Sequence, residues 1–227
     1  RLSLLDRGMV FAIAHVRGGG ELGRAWYEAG KVGDKQNSFS DFVACARHLV
    51  TQGWTTPDQL VARGGSAGGL LMGAVTNLAP EMFAAIVAEV PFVDPLNTIL
   101  DPSLPLTVIE WEEWGDPLHD QDAYGWLAAY GPYETVKPAP EVTYPAVLAT
   151  AGLNDPRVGF HEPTKWVARL RQQGHGIGPA DDPRPVLLKV ELATGHGGPS
   201  GRYDAWRDEA FVLAWVLDQS GAQARSA

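Results

Sequence analysis

Apolar residues along the chain follow two alternating patterns, short continuous runs and longer stretches with helical spacing. Five short runs, at 9–16, 60–62, 84–90, 144–150 and 186–192, predict strands that are buried on both faces of a parallel sheet. Between most of these runs, apolar residues recur every three or four positions, which predicts helices that pack one face on the sheet.

Several of the helical stretches carry recognisable start signals. The sequence S-F-S-D that begins at Ser38 has the spacing of a capping box, and Thr56-Pro57 is typical of a cap followed by proline at the first helical position. Further helices are predicted at 162–173 and 205–219. The apolar side of the last one is expected to carry Trp206, Ala210, Leu213 and Val216 or Leu217.

This alternation predicts an α/β fold with a doubly wound, mostly parallel sheet, whose functional sites lie at the carboxyl ends of the strands. The segment 91–140 interrupts the alternation, because it is rich in proline, tryptophan and tyrosine. Long segments between strands are more often functional than idle. We therefore expect a partly helical excursion across the carboxyl edge of the sheet.

A candidate nucleophile follows the second predicted strand. The sequence G-G-S-A-G at 64–68 fits the pattern G-x-S-x-G, and a helix-compatible stretch at 70–78 comes directly after it. Glycine at positions 64 and 68 removes Cβ atoms that would clash in a tight turn. The alternatives are a glycine-rich turn with an incidental serine and a phosphate-binding loop, although no G-K-[ST] sequence follows. Ser66 is therefore predicted to be the nucleophile, at a helix N-terminus that favours negative charge.

A serine hydroxyl needs a base within hydrogen-bond reach and a third group that orients this base. His196 directly follows the fifth predicted strand among small residues and is the predicted base. Asp155 lies in a turn after the fourth strand and is the predicted acid, since hydrolases commonly have the order serine, aspartate, histidine. Asp94, after the third strand, is its rival. His119 and His161 lie in predicted loops and are not excluded by position.

Composition narrows the classes of partner. The chain has 227 residues, 45% of them hydrophobic and 20% charged, which is ordinary for one α/β domain. The formal net charge of −9 argues against nucleic acid as a partner. We expect no membrane partner either, since no apolar run approaches membrane-spanning length. The single cysteine, Cys45, excludes an intrachain disulfide and a cysteine-rich zinc site.

Four motifs together resemble the prolyl oligopeptidase family of serine peptidases. They are R-G-G-G-E at 17–21, G-G-S-A-G-G at 64–69, N-D-P-R-V at 154–158 and G-H-G-G at 195–198. Further segments are similar to the branch of that family that cleaves after arginine or lysine; they lie at 91–94, 110–115, 162–167 and 197–202. The resemblance covers essentially the whole chain. It implies an α/β-hydrolase fold, cleavage of short basic peptides, no cofactor and a cytoplasmic location.

The resemblance also implies that residues 1–227 form a single α/β-hydrolase catalytic domain at the C-terminal end of a longer protein. An N-terminal propeller domain, which restricts substrates to short peptides, would be its partner in the full-length protein. The opening strands of the fold would precede Arg1 as well.

Four further residues acquire roles through the resemblance alone. The backbone N–H of Ala67 matches one oxyanion donor, and the second, a tyrosine hydroxyl, is expected upstream of this chain. Glu110 and Glu112 match the acidic residues of a pocket for the substrate's cation, and carboxylates pair well with guanidinium groups. Arg157 matches an arginine that binds a backbone carbonyl of the substrate.

Two other functions stay open. A carboxylesterase would share Ser66, Asp155 and His196 but would prefer apolar acyl groups, against which the glutamates at 110–113 argue. The second open function is that of a truncated, inactive copy, which binds peptides without turnover. It stays open because the second oxyanion donor is expected upstream of this chain, and loss of one such donor costs on the order of 10²–10³ in rate.

Overall fold

The computed structural model describes residues 1–178 and 184–222, in which four parallel strands form one sheet. In spatial order these are β1 (Val61–Gly65), β2 (Ala85–Glu89), β3 (Ala146–Gly152) and β4 (Val186–Glu191). Glu89 pairs with Gly65 on one side and with Thr150 on the other. The strands therefore end nearly level, and the segments that follow them meet at one edge of the sheet.

Helices occupy the connections between these strands and both ends of the described chain. They are α1 (Leu2–Leu5), α2 (Arg24–Glu28), α3 (Gln36–Thr51), α4 (Ala67–Leu78), α5 (Pro95–Ile99), α6 (Thr107–Trp114), α7 (Gln121–Tyr130), α8 (His161–Gln172) and α9 (Arg202–Gln219). Short 3-10 helices lie at Val32–Asp34 and Pro80–Met82. No helix within the described residues is long and apolar enough to cross a membrane.

The two faces of the sheet pack against different helices, as side-chain alternation along a strand requires. Ile86 and Val147 belong to the larger core, which also includes buried residues of α3, α4 and α8. Val87 and Leu148 face the other way and pack against Val212 and neighbouring residues of α9. The prediction of a doubly wound parallel sheet is confirmed.

The first predicted strand, 9–16, is not a strand in the structure. No strand among the described residues pairs with it, and Val10, Phe11 and Ile13 are exposed. A strand forms only where a neighbour satisfies its backbone donors and acceptors, so apolar composition is not sufficient.

Two of the predicted helix starts were also wrong. The helix α3 begins at Gln36, before the proposed cap, and the Ser38 hydroxyl instead donates to the carbonyl of Arg17 at 2.6 Å. Thr56 opens a turn, in which its carbonyl accepts hydrogen bonds from the amides of Gln59 and Leu60, rather than a helix.

The long excursion is partly helical, as predicted. It contains α5, α6 and α7, and it begins where β2 ends, at the carboxyl edge of the sheet. Buried residues of this excursion, including Trp114 and Leu127, belong to the larger core, so the excursion is part of the packed domain.

Candidate active site

Ser66 lies in a strained turn between β1 and α4. Its backbone angles are φ 55° and ψ −119°, a conformation that residues with a side chain rarely adopt. Neighbouring backbone holds it there: the Ser66 amide donates to the carbonyl of Glu89 at 2.9 Å, and the Ser66 carbonyl accepts from the amides of Gly69 at 2.8 Å and Phe92 at 3.1 Å. The backbone of Ser66 is thus fixed at the carboxyl edge of the sheet.

Close packing explains two of the glycines around this serine. A Cβ atom on Gly64 would collide with the carbonyl of Gly68, and one on Gly69 would collide with Pro91. A Cβ on Gly68 would meet nothing within 4 Å, apart from chain neighbours and the helix's own backbone. The predicted crowding at Gly64 is therefore present, but the second crowded position is 69 and not 68.

Ala67 is the first residue of α4, so its N–H has no acceptor four residues earlier within the helix. Ala67 and Ser66 line the same cavity. The N–H at this position is available to stabilise negative charge next to the serine.

The structure brings His196 and Asp155 together. The Nδ1 atom of His196 lies 2.7 Å from Oδ2 of Asp155, whose side chain is almost fully buried. The other carboxylate oxygen accepts from the amides of Arg157 at 2.8 Å and Val158 at 3.0 Å. These bonds fix the carboxylate, and through it the orientation of the imidazole ring.

Asp94, the rival acid, has other partners. It contacts the amino group of Lys165, and its Oδ1 accepts from Asn97 at 2.6 Å. Within the described residues no hydrogen bond joins Asp94 to His196.

Backbone bonds tie the loop of Asp155 to the loop of His196. The amide of Leu153 donates to Glu191 at 2.9 Å, and the amide of Asn154 donates to Thr194 at 3.0 Å. Gly152 is required between them, since a Cβ there would collide with the carbonyl of Gly195. The two loops therefore form one hydrogen-bonded unit after β3 and β4.

Ser66 and His196 follow the two outer strands of the described sheet. No hydrogen bond joins them in the described part of the chain. Such bonds are often long in free enzymes and tighten when substrate binds. The Ser66–His196 pair accordingly stays a prediction.

The alternative histidines have other surroundings. His119 is exposed and lies 2.7 Å from Asp116. His161 is exposed at the start of α8, where its ring contacts that of Phe160.

A cavity of about 70 Å³ opens beside Ser66. It brings together three elements distant in sequence: the serine turn, the excursion helices and the loop of Asp155. Its lining consists of Ser66, Ala67, Phe92, Thr98, Ile99, Leu104, Leu106, Thr107, Glu110, Trp114, Arg157 and Val158. Four of these, Ser66, Ala67, Glu110 and Arg157, are predicted site residues, whereas no motif marks Thr98, Thr107 or the apolar walls.

Glu110 is half-buried in this cavity. Its Oε2 accepts from the indole N–H of Trp114 at 2.8 Å. No ion pair of Glu110 or of Arg157 occurs among the residues that the structure describes. The cavity lining therefore contains a carboxylate that no ion pair neutralises in the described residues, together with the unpaired guanidinium of Arg157.

Glu112 is placed elsewhere. Its side chain is 75% exposed, lies 3.3 Å from the amino group of Lys31 and 4.0 Å from Arg24, and does not line the cavity. Residues two positions apart on a helix face different directions, and Glu110 and Glu112 are both on α6. Only Glu110 of the predicted acidic pair is at the serine.

Two further carboxyl groups were not predicted: the buried Glu162, which accepts a hydrogen bond from the cavity residue Thr98, and the half-buried Glu134. Burial raises the pKa of Glu162 to about 7, and the nearby charge of Asp94 adds to the shift. Burial likewise raises the pKa of Glu134 to about 7. Across the described residues, no three His, Cys, Asp or Glu side chains are grouped so as to hold a metal ion.

Comparison with known proteins assigns the family. The model of the prolyl oligopeptidase family matches residues 1–223. Protease 2 of Moraxella lacunata is 49% identical over 99% of this chain and 31% of its own length. Dipeptidyl aminopeptidase BI of Pseudoxanthomonas mexicana is 46% identical over 99% of this chain and 30% of its own. The chain thus spans slightly less than a third of these relatives.

Solved structures support the same family assignment. Oligopeptidase B from Leishmania major has 45% sequence identity and a TM-score of 0.90, over 99% of this chain and 30% of that one. Oligopeptidase B from Trypanosoma brucei, with covalently bound antipain, has 46% identity and a TM-score of 0.90, over 98% of this chain and 30% of that one. The chain therefore belongs to the prolyl oligopeptidase family of serine peptidases and has the α/β-hydrolase fold.

Proposed function

We propose that this chain is the catalytic part of a peptidase that cleaves short peptides after arginine or lysine. The observation that carries the proposal is Glu110, a half-buried carboxylate that lines the same cavity as Ser66 and has no cation partner in the described residues. A guanidinium or ammonium group of a substrate would supply the missing positive charge.

The proposed mechanism uses Ser66, His196 and Asp155 as a triad. Asp155 accepts a hydrogen bond from the Nδ1–H of His196, which keeps the proton on Nδ1 and leaves the unprotonated Nε2 free to take the proton of Ser66. The serine oxygen then attacks the peptide carbonyl, and the Ala67 N–H donates to the oxyanion. His196 returns the proton to the leaving amine, and the acyl-enzyme is hydrolysed by a water that His196 activates in the same way. Arg157, which lines the cavity without an ion pair in the described residues, would bind a substrate carbonyl.

Similar proteins support this proposal, since they include one named Protease 2 and two named oligopeptidase B. The chain spans about 30% of those proteins, and the proposed activity is that of the full-length protein. An N-terminal propeller domain and a cytoplasmic location also remain predictions from family resemblance.

The test compares hydrolysis by the full-length protein of three substrates: an arginyl amide, a neutral amide of the same length and a nitrophenyl ester of an apolar acid. We expect the highest kcat/KM for the arginyl amide. A preference for the ester would instead support the carboxylesterase. An inactive copy would turn over none of the three, and labelling with a fluorophosphonate would then show whether Ser66 is reactive at all.

A dipeptidyl aminopeptidase is the second candidate, because a relative with that name is 46% identical to this chain. Such an enzyme needs a free amino terminus two residues before the cleaved bond. Matched arginyl substrates with free and with acetylated N-termini therefore separate the candidates. The proposed oligopeptidase cleaves both, whereas a dipeptidyl aminopeptidase cleaves only the free form.

A further inference from the structure

Glu162 is a buried carboxyl group that the proposed mechanism does not use. It is the second residue of α8, and its side chain is fully buried. One carboxyl oxygen accepts from the hydroxyl of Thr98 at 2.8 Å, and the other accepts from the amide of Asp94 at 3.0 Å. Burying a carboxyl group costs free energy unless hydrogen bonds compensate. Glu162 therefore depends on its bonds to Thr98 and Asp94, and these bonds in turn hold the two residues in place.

The contacts of Glu162 continue to the cavity through α5. Thr98, on α5, lines the cavity, and its carbonyl accepts from the hydroxyl of Thr107 at 2.9 Å. The next carbonyl, of Ile99, accepts from the indole of Trp111 at 3.3 Å. Thr107 and Trp111 lie on either side of Glu110 on α6. Hydrogen bonds from Thr107 and Trp111 thus connect the helix of Glu110 to α5, and the bond between Thr98 and Glu162 connects α5 to α8.

We propose that Glu162 is a positioning residue for substrate binding, which holds Thr98 and α5, and through them the helix that carries Glu110, in the geometry that receives the substrate's cation. This inference rests on the proposed function. It assigns Glu162 no contact with substrate or with the reacting atoms.

Hydrogen bonding, rather than charge pairing, carries the effect. In the described residues Glu162 has no ion pair; Lys165, one turn along α8, pairs with Asp94 instead. Glutamine can take over both bonds, because its amide oxygen accepts from the Asp94 amide and its NH₂ donates to the Thr98 hydroxyl. Alanine leaves the buried Asp94 amide unpaired and removes the acceptor of the half-buried Thr98 hydroxyl. The two substitutions at one position therefore separate hydrogen bonding from charge.

The experiment measures kcat and KM of the full-length protein for a paired arginyl and neutral amide. Glu162→Ala should raise KM for the arginyl amide about tenfold, the effect of one unpaired buried polar group. The KM of the neutral amide should change by less than about twofold, since it does not use Glu110. Glu162→Gln should retain the wild-type KM values. The exposed Glu81, on the 3-10 helix away from the cavity, provides the control Glu81→Ala.

A double-mutant cycle with Thr98→Val tests the route. Valine keeps the shape of threonine but removes the hydroxyl that Glu162 holds. If Glu162 acts through Thr98, the effects of Glu162→Ala and Thr98→Val on the arginyl KM are less than additive. Should Glu162→Ala fail to fold, as judged by circular dichroism, Thr98→Val alone must still raise the arginyl KM selectively.

Each outcome decides between the two proposals. Equal kcat/KM of the wild type for both amides overturns the proposed function and this inference with it. A wild type that prefers the arginyl amide, combined with a Glu162→Ala variant that behaves like Glu81→Ala, overturns the inference alone. A Glu162→Ala variant that loses kcat/KM equally on both amides also overturns the inference, because it would indicate a merely structural role. A Thr98→Val variant without a selective effect on the arginyl KM overturns it as well.

Discussion

Glu110 and Glu112 are separated by a single residue, yet they meet different surroundings. Glu110 lines the cavity beside Ser66, whereas Glu112 is exposed beside Lys31. This contrast provides a matched pair of substitutions within one helix. At each position, replacement by glutamine removes the charge and preserves the shape.

We predict that Glu110→Gln lowers kcat/KM for arginyl and lysyl amides selectively. Removing one partner of a buried charge pair costs roughly 2 to 5 kcal/mol, which is about 30-fold to a few thousand-fold in rate. The control, Glu112→Gln, should cost at most about 1 kcal/mol, as expected for an exposed carboxylate. Steady-state kinetics on arginyl and neutral amides measures both. A larger loss from Glu112→Gln than from Glu110→Gln would contradict the placement of the cation.

Glu162 also predicts a pH dependence of stability. Burial raises the pKa of its carboxyl group to about 7, against the ordinary 4.5 of an unfolded chain. Between pH 4.5 and pH 7 the carboxyl group of Glu162 is protonated in the folded state and ionised in the unfolded state. The contribution of Glu162 to the free energy of unfolding is therefore largest below about pH 4.5 and is lost as pH rises through 7. The charge of Asp94 acts in the same direction, and the hydrogen bonds from Asp94 and Thr98 oppose it.

In Glu162→Gln this titration is absent. The unfolding free energy of the variant relative to wild type should therefore rise by up to roughly 3 kcal/mol between pH 5 and pH 8. Taking the difference between the two proteins cancels the parallel titration of Glu134, whose pKa is also raised to about 7. Thermal unfolding at several pH values measures it. A difference that does not change with pH would mean that Glu162 titrates normally.

At the residue scale, the sequence predicts roles for those side chains that chain order and motif single out, and these catalytic roles stay predictions. Its place after the fourth predicted strand favours Asp155 over Asp94 as the acid, and the structure places Asp155 in contact with His196. Glu112 could not be separated from Glu110, since the helical phase of α6 is set by packing and not by its own acidic pattern. The burial of Glu162 was equally invisible, because nothing local distinguishes it from a solvated first-turn glutamate.

At the scale of elements, the turn between β1 and α4 depends on how closely its neighbours approach. A Cβ on Gly69 would overlap the backbone and ring of Pro91, which follows β2, whereas one on Gly68 would be in open space. The turn and the end of β2 are thus fitted to each other at position 69.

We predict that Gly69→Ala destabilises the protein by about 1–3 kcal/mol, because the overlap forces backbone shifts. The adjacent Gly68→Ala should be neutral or stabilising by up to about 1 kcal/mol, since alanine is favoured over glycine in a helix. Thermal unfolding of both variants checks this. Equal destabilisation by the two substitutions would show that the turn, rather than its contact with Pro91, is the sensitive feature.

The strands and helices that the sequence located correctly are those whose partners lie within the described chain. The predicted runs at 84–90 and 186–192 became β2 and β4 with ends shifted by at most one residue. The run at 9–16 has equally apolar composition but pairs with no strand in the part of the chain that the structure describes. In α9, the buried residues are Val212, Trp215 and Val216, while Trp206 is exposed. Tertiary contacts decide whether the run at 9–16 forms a strand and which side of α9 is buried. Local periodicity of apolar residues does not reveal such contacts.

For the whole molecule, the net charge of −9 should influence how substrates arrive. An acidic surface raises the local concentration of cations and speeds their association, and salt screens this effect. We predict that kcat/KM for an arginyl amide falls several-fold between about 0.05 and 0.5 M salt, whereas that for a neutral amide changes little. Measuring both in parallel provides the internal control. A similar fall for both substrates would point to an effect of salt on the protein itself.

The strained backbone of Ser66 has a consequence for the history of this chain. Its φ of 55° suits glycine, and a serine held there costs of order 1–3 kcal/mol. A copy that no longer needed catalysis could accept substitutions at position 66, and glycine there would remove the strain. Serine at a backbone position that glycine would occupy without strain therefore favours the proposal of a working nucleophile over that of a decayed copy.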